Sequence, residues 1–150
     1  MFLVFSLVLA VSCEKENENE NEGGNESKTS SATSSESHNM GQNCMNCHKQ
    51  GGQGEGWFSI AGTVYDTSLT KVYTNATVKL YTAPNGGGTL KYTLPVDRKG
   101  NFYTTTSISF GSGLYPVVSG VNNPNYMSTP ITTGACNSCH GSSTSKLWAE

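Results

Sequence analysis

The sequence predicts a mainly β chain: a small antiparallel β-sandwich with short, mostly irregular segments at both ends and a disordered N-terminal tether. Three observations point there. Only 35% of residues are apolar and 13% charged, while Gly, Ser, Thr and Asn are abundant, a composition suited to turn-rich β structure. Between Trp57 and Val121, short alternating runs are broken by turn residues, and no stretch has the period of a long amphipathic helix. With 150 residues, the chain has room for one ordinary domain plus tails. Five segments follow: 1–12, 13–37, 38–56, 57–121 and 122–150.

Residues 2–11, FLVFSLVLAV, are continuously apolar, the length of a signal-peptide core and too short to span a bilayer. The run ends in Ala10-Val11-Ser12-Cys13, which resembles the lipobox of bacterial lipoproteins and implies lipidation at Cys13. Glu14 to Ser37 reads EKENENENEGGNESKTSSATSSES and holds no large apolar residue, so the expectation is a disordered tether. As a flexible coil, such a length reaches roughly 27 Å. Acidic residues directly after Cys13 also resemble the export signal of surface lipoproteins in Bacteroidetes-type bacteria. Export to the outer membrane or cell surface is therefore expected, with a lipid anchor as the membrane contact.

The 57–121 segment supplies the strands. In FSIAGTVY (58–65), Phe58, Ile60, Gly62 and Val64 share one face, and in ATVKLYT (76–82), Ala76, Val78 and Leu80 do the same. A turn over Pro84–Gly88 leads into TLKYTLPV, Asp97–Gly100 is a tight turn, Asn101–Ser109 reads as one or two strands, and LYPVVSG follows. Six or seven short strands at this spacing fit a sandwich. In an antiparallel sandwich, an odd strand count puts the two ends on opposite sides, and an even count brings them together. Seven strands would thus separate whatever the end segments carry.

The runs Ala61-Gly62-Thr63-Val64-Tyr65-Asp66, Asn75-Ala76-Thr77-Val78-Lys79-Leu80 and Val96-Asp97-Arg98-Lys99-Gly100-Asn101-Phe102 resemble the carboxypeptidase-regulatory-like and Cna B-type β-sandwiches. That resemblance implies an Ig/transthyretin-like fold serving as spacer or adhesion module, without catalytic residues of its own. The proline-glycine turn usual before the last strand is replaced by Phe110-Gly111-Ser112-Gly113-Leu114.

The end segments carry the chemistry. Besides Cys13, the cysteines form two pairs, Cys44/Cys47 and Cys136/Cys139, each followed at once by a histidine, His48 or His140. Both match CxxCH, in which two thiols bind the haem vinyl groups and the histidine binds the iron. Two copies in a chain with three histidines resemble a dihaem c-type cytochrome and imply two covalently attached haems. Zinc is the rival, since CxxC…CxxC is also a zinc-ribbon ligand set. Ribbon pairs, however, lie about 15–20 residues apart, whereas 88 residues separate Cys47 from Cys136. A dithiol redox pair is the third reading.

His38 is the one histidine outside the motifs, so within a chain at most one haem can be bis-histidine. His38 is the candidate distal ligand for one iron and Met127, in Asn125-Tyr126-Met127-Ser128, for the other. Thioether ligation raises the potential, so one low and one higher potential are expected. Each end segment is too short to bury a haem alone, so the haems must lean on the β domain, on each other or on another protein.

The expected function is electron transfer, including extracellular transfer or a head-to-tail chain of haems. Partners are other redox proteins or copies of the chain. No Ser/His/Asp set, carboxylate pair or phosphate loop appears, so neither an enzyme nor a small-molecule substrate is expected. From Ser37 onward seven Lys/Arg face four acids, a formal +3 that haem propionates would offset, which leaves no case for nucleic acid. The alternatives are a haem sensor or peroxidase, and a zinc-stabilised surface adhesion module.

Overall fold

The computed structural model describes residues 25–150. The signal segment, Cys13 and the first part of the tether lie outside the described residues. The chain is mainly β and folds as a two-sheet sandwich. In chain order the strands are β1 (Ile60–Tyr65), β2 (Thr77–Tyr81), β3 (Leu90–Pro95), β4 (Asn101–Thr104), β5 (Tyr115–Ser119), β6 (Pro124–Tyr126) and β7 (Leu147–Trp148). One sheet runs β4-β1-β7 and the other β3-β2-β5-β6. All pairings are antiparallel except β1 with β7.

Strand alternation builds the core. Ile60 and Val64 from β1, Val78 and Leu80 from β2, and Phe102 from β4 meet between the sheets with Leu94, Val96 and Val118. The tight turn before β4 is built by Asp97. Its Oδ1 accepts the backbone N–H groups of Lys99 (2.9 Å) and Asn101 (3.0 Å), and Gly100 adopts φ 79°, a conformation in which a Cβ would be strained. Asn101–Ser109 contributes a strand only as far as Thr104, after which the chain turns away towards Gly111 and Gly113, both at positive φ.

Three expectations are corrected. The first is the tether: residues 28–34 lie along the β4 edge instead of hanging free. Lys28 and Thr105 exchange hydrogen bonds, with Thr105 N–H donating to the Lys28 carbonyl (2.8 Å) and Lys28 N–H to Thr105 Oγ1 (2.7 Å). Ser30 N–H donates to the Tyr103 carbonyl (2.9 Å), its hydroxyl donates to the Pro95 carbonyl (2.7 Å), and Arg98 N–H donates to the Ser34 carbonyl (2.9 Å). Apolar burial was not needed, because the unpaired backbone groups of an edge strand offer a polar segment an alternative to water.

The second correction is the boundary at residue 121. β6 and β7 both come from 122–150, and Ala149 is wholly buried in the core, so the C-terminal segment completes the sandwich. The third is the strand count: 57–121 holds five strands, β1 to β5, instead of six or seven. With β6, six strands lie between the two cysteine motifs, and the motifs meet, as an even count requires; β7 follows the second motif and runs parallel to β1. Ala135 pairs with Ala61 and Leu147 with Val64. Residues 136–146 are thus an excursion out of one extended pairing with β1, and β1 itself begins shortly after the first motif.

Candidate functional site

Each motif is a 3-10 turn, Cys44–Asn46 and Cys136–Ser138. The two backbones are nearly superposable in their bonding. The first cysteine's carbonyl accepts the N–H of the second (3.2 Å in both) and of the histidine (2.9 Å in both). Cys47 and Cys139 close the turns at φ/ψ of −104°/−42° and −109°/−52°. The four thiols are free. In each pair the first cysteine is half-buried and the second exposed. Burial raises the Cys44 thiol pKa, and pushes that of Cys136 up to about 12, with the nearby Cys44 adding to the shift.

The histidines are fixed alike. His48 Nδ1 lies 2.8 Å from the Glu55 carbonyl and His140 Nδ1 lies 2.8 Å from the Ser145 carbonyl. A carbonyl can only accept, so each Nδ1 carries the hydrogen and each Nε2 keeps its lone pair. That is the tautomer and second partner a metal-binding imidazole requires. Phe58 stacks on His48 (4.2 Å between centroids, 10°) and on Tyr103 (4.8 Å), which fixes the His48 ring plane.

A cavity adjoins each motif. That of the first is about 480 Å³ and is lined by Cys44, Cys47, His48, His38, Phe58 and Tyr103, among others. That of the second is about 550 Å³ and is lined by Cys136, Cys139, His140, Met127 and Trp148, and by Ile60, Phe102 and Val118 of the sandwich. Both fall in the range of cofactor sites, about 300–1,000 Å³. His38 therefore shares a cavity with His48, and Met127 with His140. The His38 and His48 ring centroids are 5.8 Å apart. Two imidazoles facing each other across one metal at an N–metal distance of about 2 Å have centroids about 6 Å apart.

A haem fits this donor set, since free thiol pairs, an Nε2 lone pair and an adjoining cavity occur together at each motif. A closed zinc site does not. Among the described residues no group of three or more His, Cys, Asp or Glu side chains converges on a possible metal position, whereas structural zinc takes four protein ligands. A porphyrin supplies four of its own, leaving only axial positions to the protein.

Sequence reasoning missed what joins the two halves. Thr63, buried in the middle of β1, donates its hydroxyl to Asn101 Oδ1 (2.6 Å) and accepts from Asn137 Nδ2 (3.0 Å) and Gly41 N–H (2.9 Å). Asn137, the buried residue after Cys136, accepts Thr63 N–H (3.2 Å) and donates to the Gln42 carbonyl (2.9 Å). The one signal was a polar Thr at the centre of an otherwise apolar strand.

No helix among the described residues is long and apolar enough to cross a membrane. No protein family, curated protein or solved structure matches the chain.

Proposed function

We propose that the chain is an exported dihaem c-type cytochrome that transfers electrons, anchored to a membrane through lipid on Cys13 and working with other redox proteins. Cys44, Cys47 and His48 would hold one haem, and Cys136, Cys139 and His140 the other. His38 is proposed as the distal ligand of the first iron and Met127 of the second. The bound groups would supply reversible one-electron chemistry. The chain's own residues attach them, set their axial ligands and shield part of their surface.

The observation that carries this reading is the repeated build of the two motifs: the same turn, the same hydrogen-bonded Nδ1 on the histidine and an adjoining cavity for each. The second cavity reaches apolar side chains of the sandwich, so the β domain serves as packing surface as well as scaffold. Because both turns pack against β1, two haems in one chain would be neighbours, and no head-to-tail assembly is needed for transfer between them.

The test is the full chain produced with a c-type maturation system. Two covalent haems by mass and sharp reduced bands are expected, and Cys47→Ser and Cys139→Ser should each impair attachment of one haem independently. Bands that respond to added carbon monoxide or peroxide would favour the sensor or peroxidase, and a colourless zinc protein would end the haem reading.

A further inference from the structure

The polar residues between the two motifs form one hydrogen-bonded path. It starts inside the second motif at Asn137, whose Nδ2 reaches Thr63 Oγ1 (3.0 Å). It continues from Thr63 Oγ1 to Asn101 Oδ1 (2.6 Å). The Asn101 amide then donates to Ser37 Oγ (3.0 Å) and to the backbone carbonyl of His38 (3.1 Å). Side branches tie the same path to Gly41 N–H (2.9 Å) and the Gln42 carbonyl (2.9 Å). His38 itself is exposed, so no packing of its ring holds it near His48. What holds it is the grip on its backbone from both sides: Ser37 and the His38 carbonyl on Asn101, and Gly41 on Thr63.

Thr63, Asn101 and Asn137 are 1%, 2% and 7% exposed. Buried polar groups of this kind are costly unless satisfied, and here both Asn amide oxygens accept and both amide nitrogens donate twice. Such a network has one low-energy arrangement, because leaving any member unpaired carries the full desolvation cost. A sandwich of this size could be packed with Val or Leu at these places. The polar choice gives direction: it fixes where residues 37–42 run relative to the second motif.

We propose that Asn137, Thr63 and Asn101 are positioning residues that hold His38 over the first motif, so that a residue within the second motif controls the distal ligation of the first haem. The proposal rests on the dihaem reading. It makes the two sites interdependent without any direct contact between Asn137 and the first iron.

The test uses the full chain carrying both haems and compares Thr63→Val, Thr63→Ser, Asn137→Ala and His38→Ala by visible and paramagnetic resonance spectra, carbon monoxide titration and redox titration. Thr63→Val keeps the shape and removes the hydroxyl. Asn137→Ala removes the bonds to Thr63 and to the Gln42 carbonyl without changing a residue of β1, and serves if Thr63→Val does not fold. His38→Ala is expected to remove one low-spin signal, to add one carbon monoxide equivalent per chain over the parent and to move the lower potential. Thr63→Val and Asn137→Ala should reproduce that pattern in part or in full with two haems still attached, and Thr63→Ser should restore the parent spectrum. If His38→Ala gives the change while Asn137→Ala and folded Thr63→Val both match the parent, the positioning role is overturned and the cytochrome reading stands. If His38→Ala itself changes nothing, the role is overturned because there is no ligand to position. A parent chain without covalent haem overturns both.

Discussion

His38 and Met127 reach their cavities by different means, and the difference bears on how each should respond to mutation. The His38 carbonyl is held by Asn101 (3.1 Å) while its side chain is exposed. Met127 is half-buried, with its N–H on the Pro116 carbonyl (3.0 Å), directly after β6. Axial ligand identity is a main determinant of haem potential, so the two substitutions should separate in a redox titration. His38→Ala is expected to displace only the lower potential. Met127→Ala is expected to bring down only the higher one and to leave covalent attachment intact. A titration in which both variants trace the parent curve would show that neither side chain reaches an iron.

At the scale of elements, β1 is the piece on which everything else depends. Its inward residues were legible because alternation is local, and so were β2, β3 and the turn at Asp97–Gly100. The two motifs were legible because their chemistry fixes the spacing. What escaped reading is non-local. β7 is two residues long and exists because β1 offers it an edge. The strap over 28–34 looked like tether because its side chains are small or polar, whereas it pairs with β4 through backbone groups and the hydroxyls of Thr29, Ser30, Thr104 and Thr105, an arrangement that composition does not report.

Two consequences follow for single residues on these elements. A Cβ on Gly134 would collide with the Ser59 carbonyl and the Ile60 Cα, so Gly134→Ala has to push the second motif away from β1. Overpacking of this kind costs about 1–3 kcal/mol, which a denaturant midpoint should register. Ser30→Pro removes the N–H given to Tyr103 and the hydroxyl given to Pro95. The strap should then lift, and the Thr105 amide, which donates to Lys28 (2.8 Å), should lose its protection in hydrogen exchange. Unchanged exchange at Thr105 would mean that the strap is held by something other than this ladder.

For the whole molecule, the even number of strands between the two motifs, β1 to β6, decides how electrons would move. Had the two motifs lain at opposite ends of the sandwich, transfer between haems would have required the second motif of one chain to meet the first motif of the next, a heterologous contact that does not close and so can extend without limit. Instead Asn137 of one motif donates to the Gln42 carbonyl beside the other (2.9 Å), and both are tied to Thr63. Two haems attached to loops joined in this way should couple electronically within one chain. The expected signature is a Soret circular dichroism band split into lobes of opposite sign, with the splitting unchanged over a dilution series. Cys139→Ser, with one haem lost, should collapse it to a band of single sign. Dilution separates the two arrangements cleanly, because pairing between chains obeys mass action and pairing within a chain does not. A splitting that fades as the protein is diluted would assign the haem pair to neighbouring molecules, and would restore the head-to-tail chain that the packing of both motifs on β1 argues against.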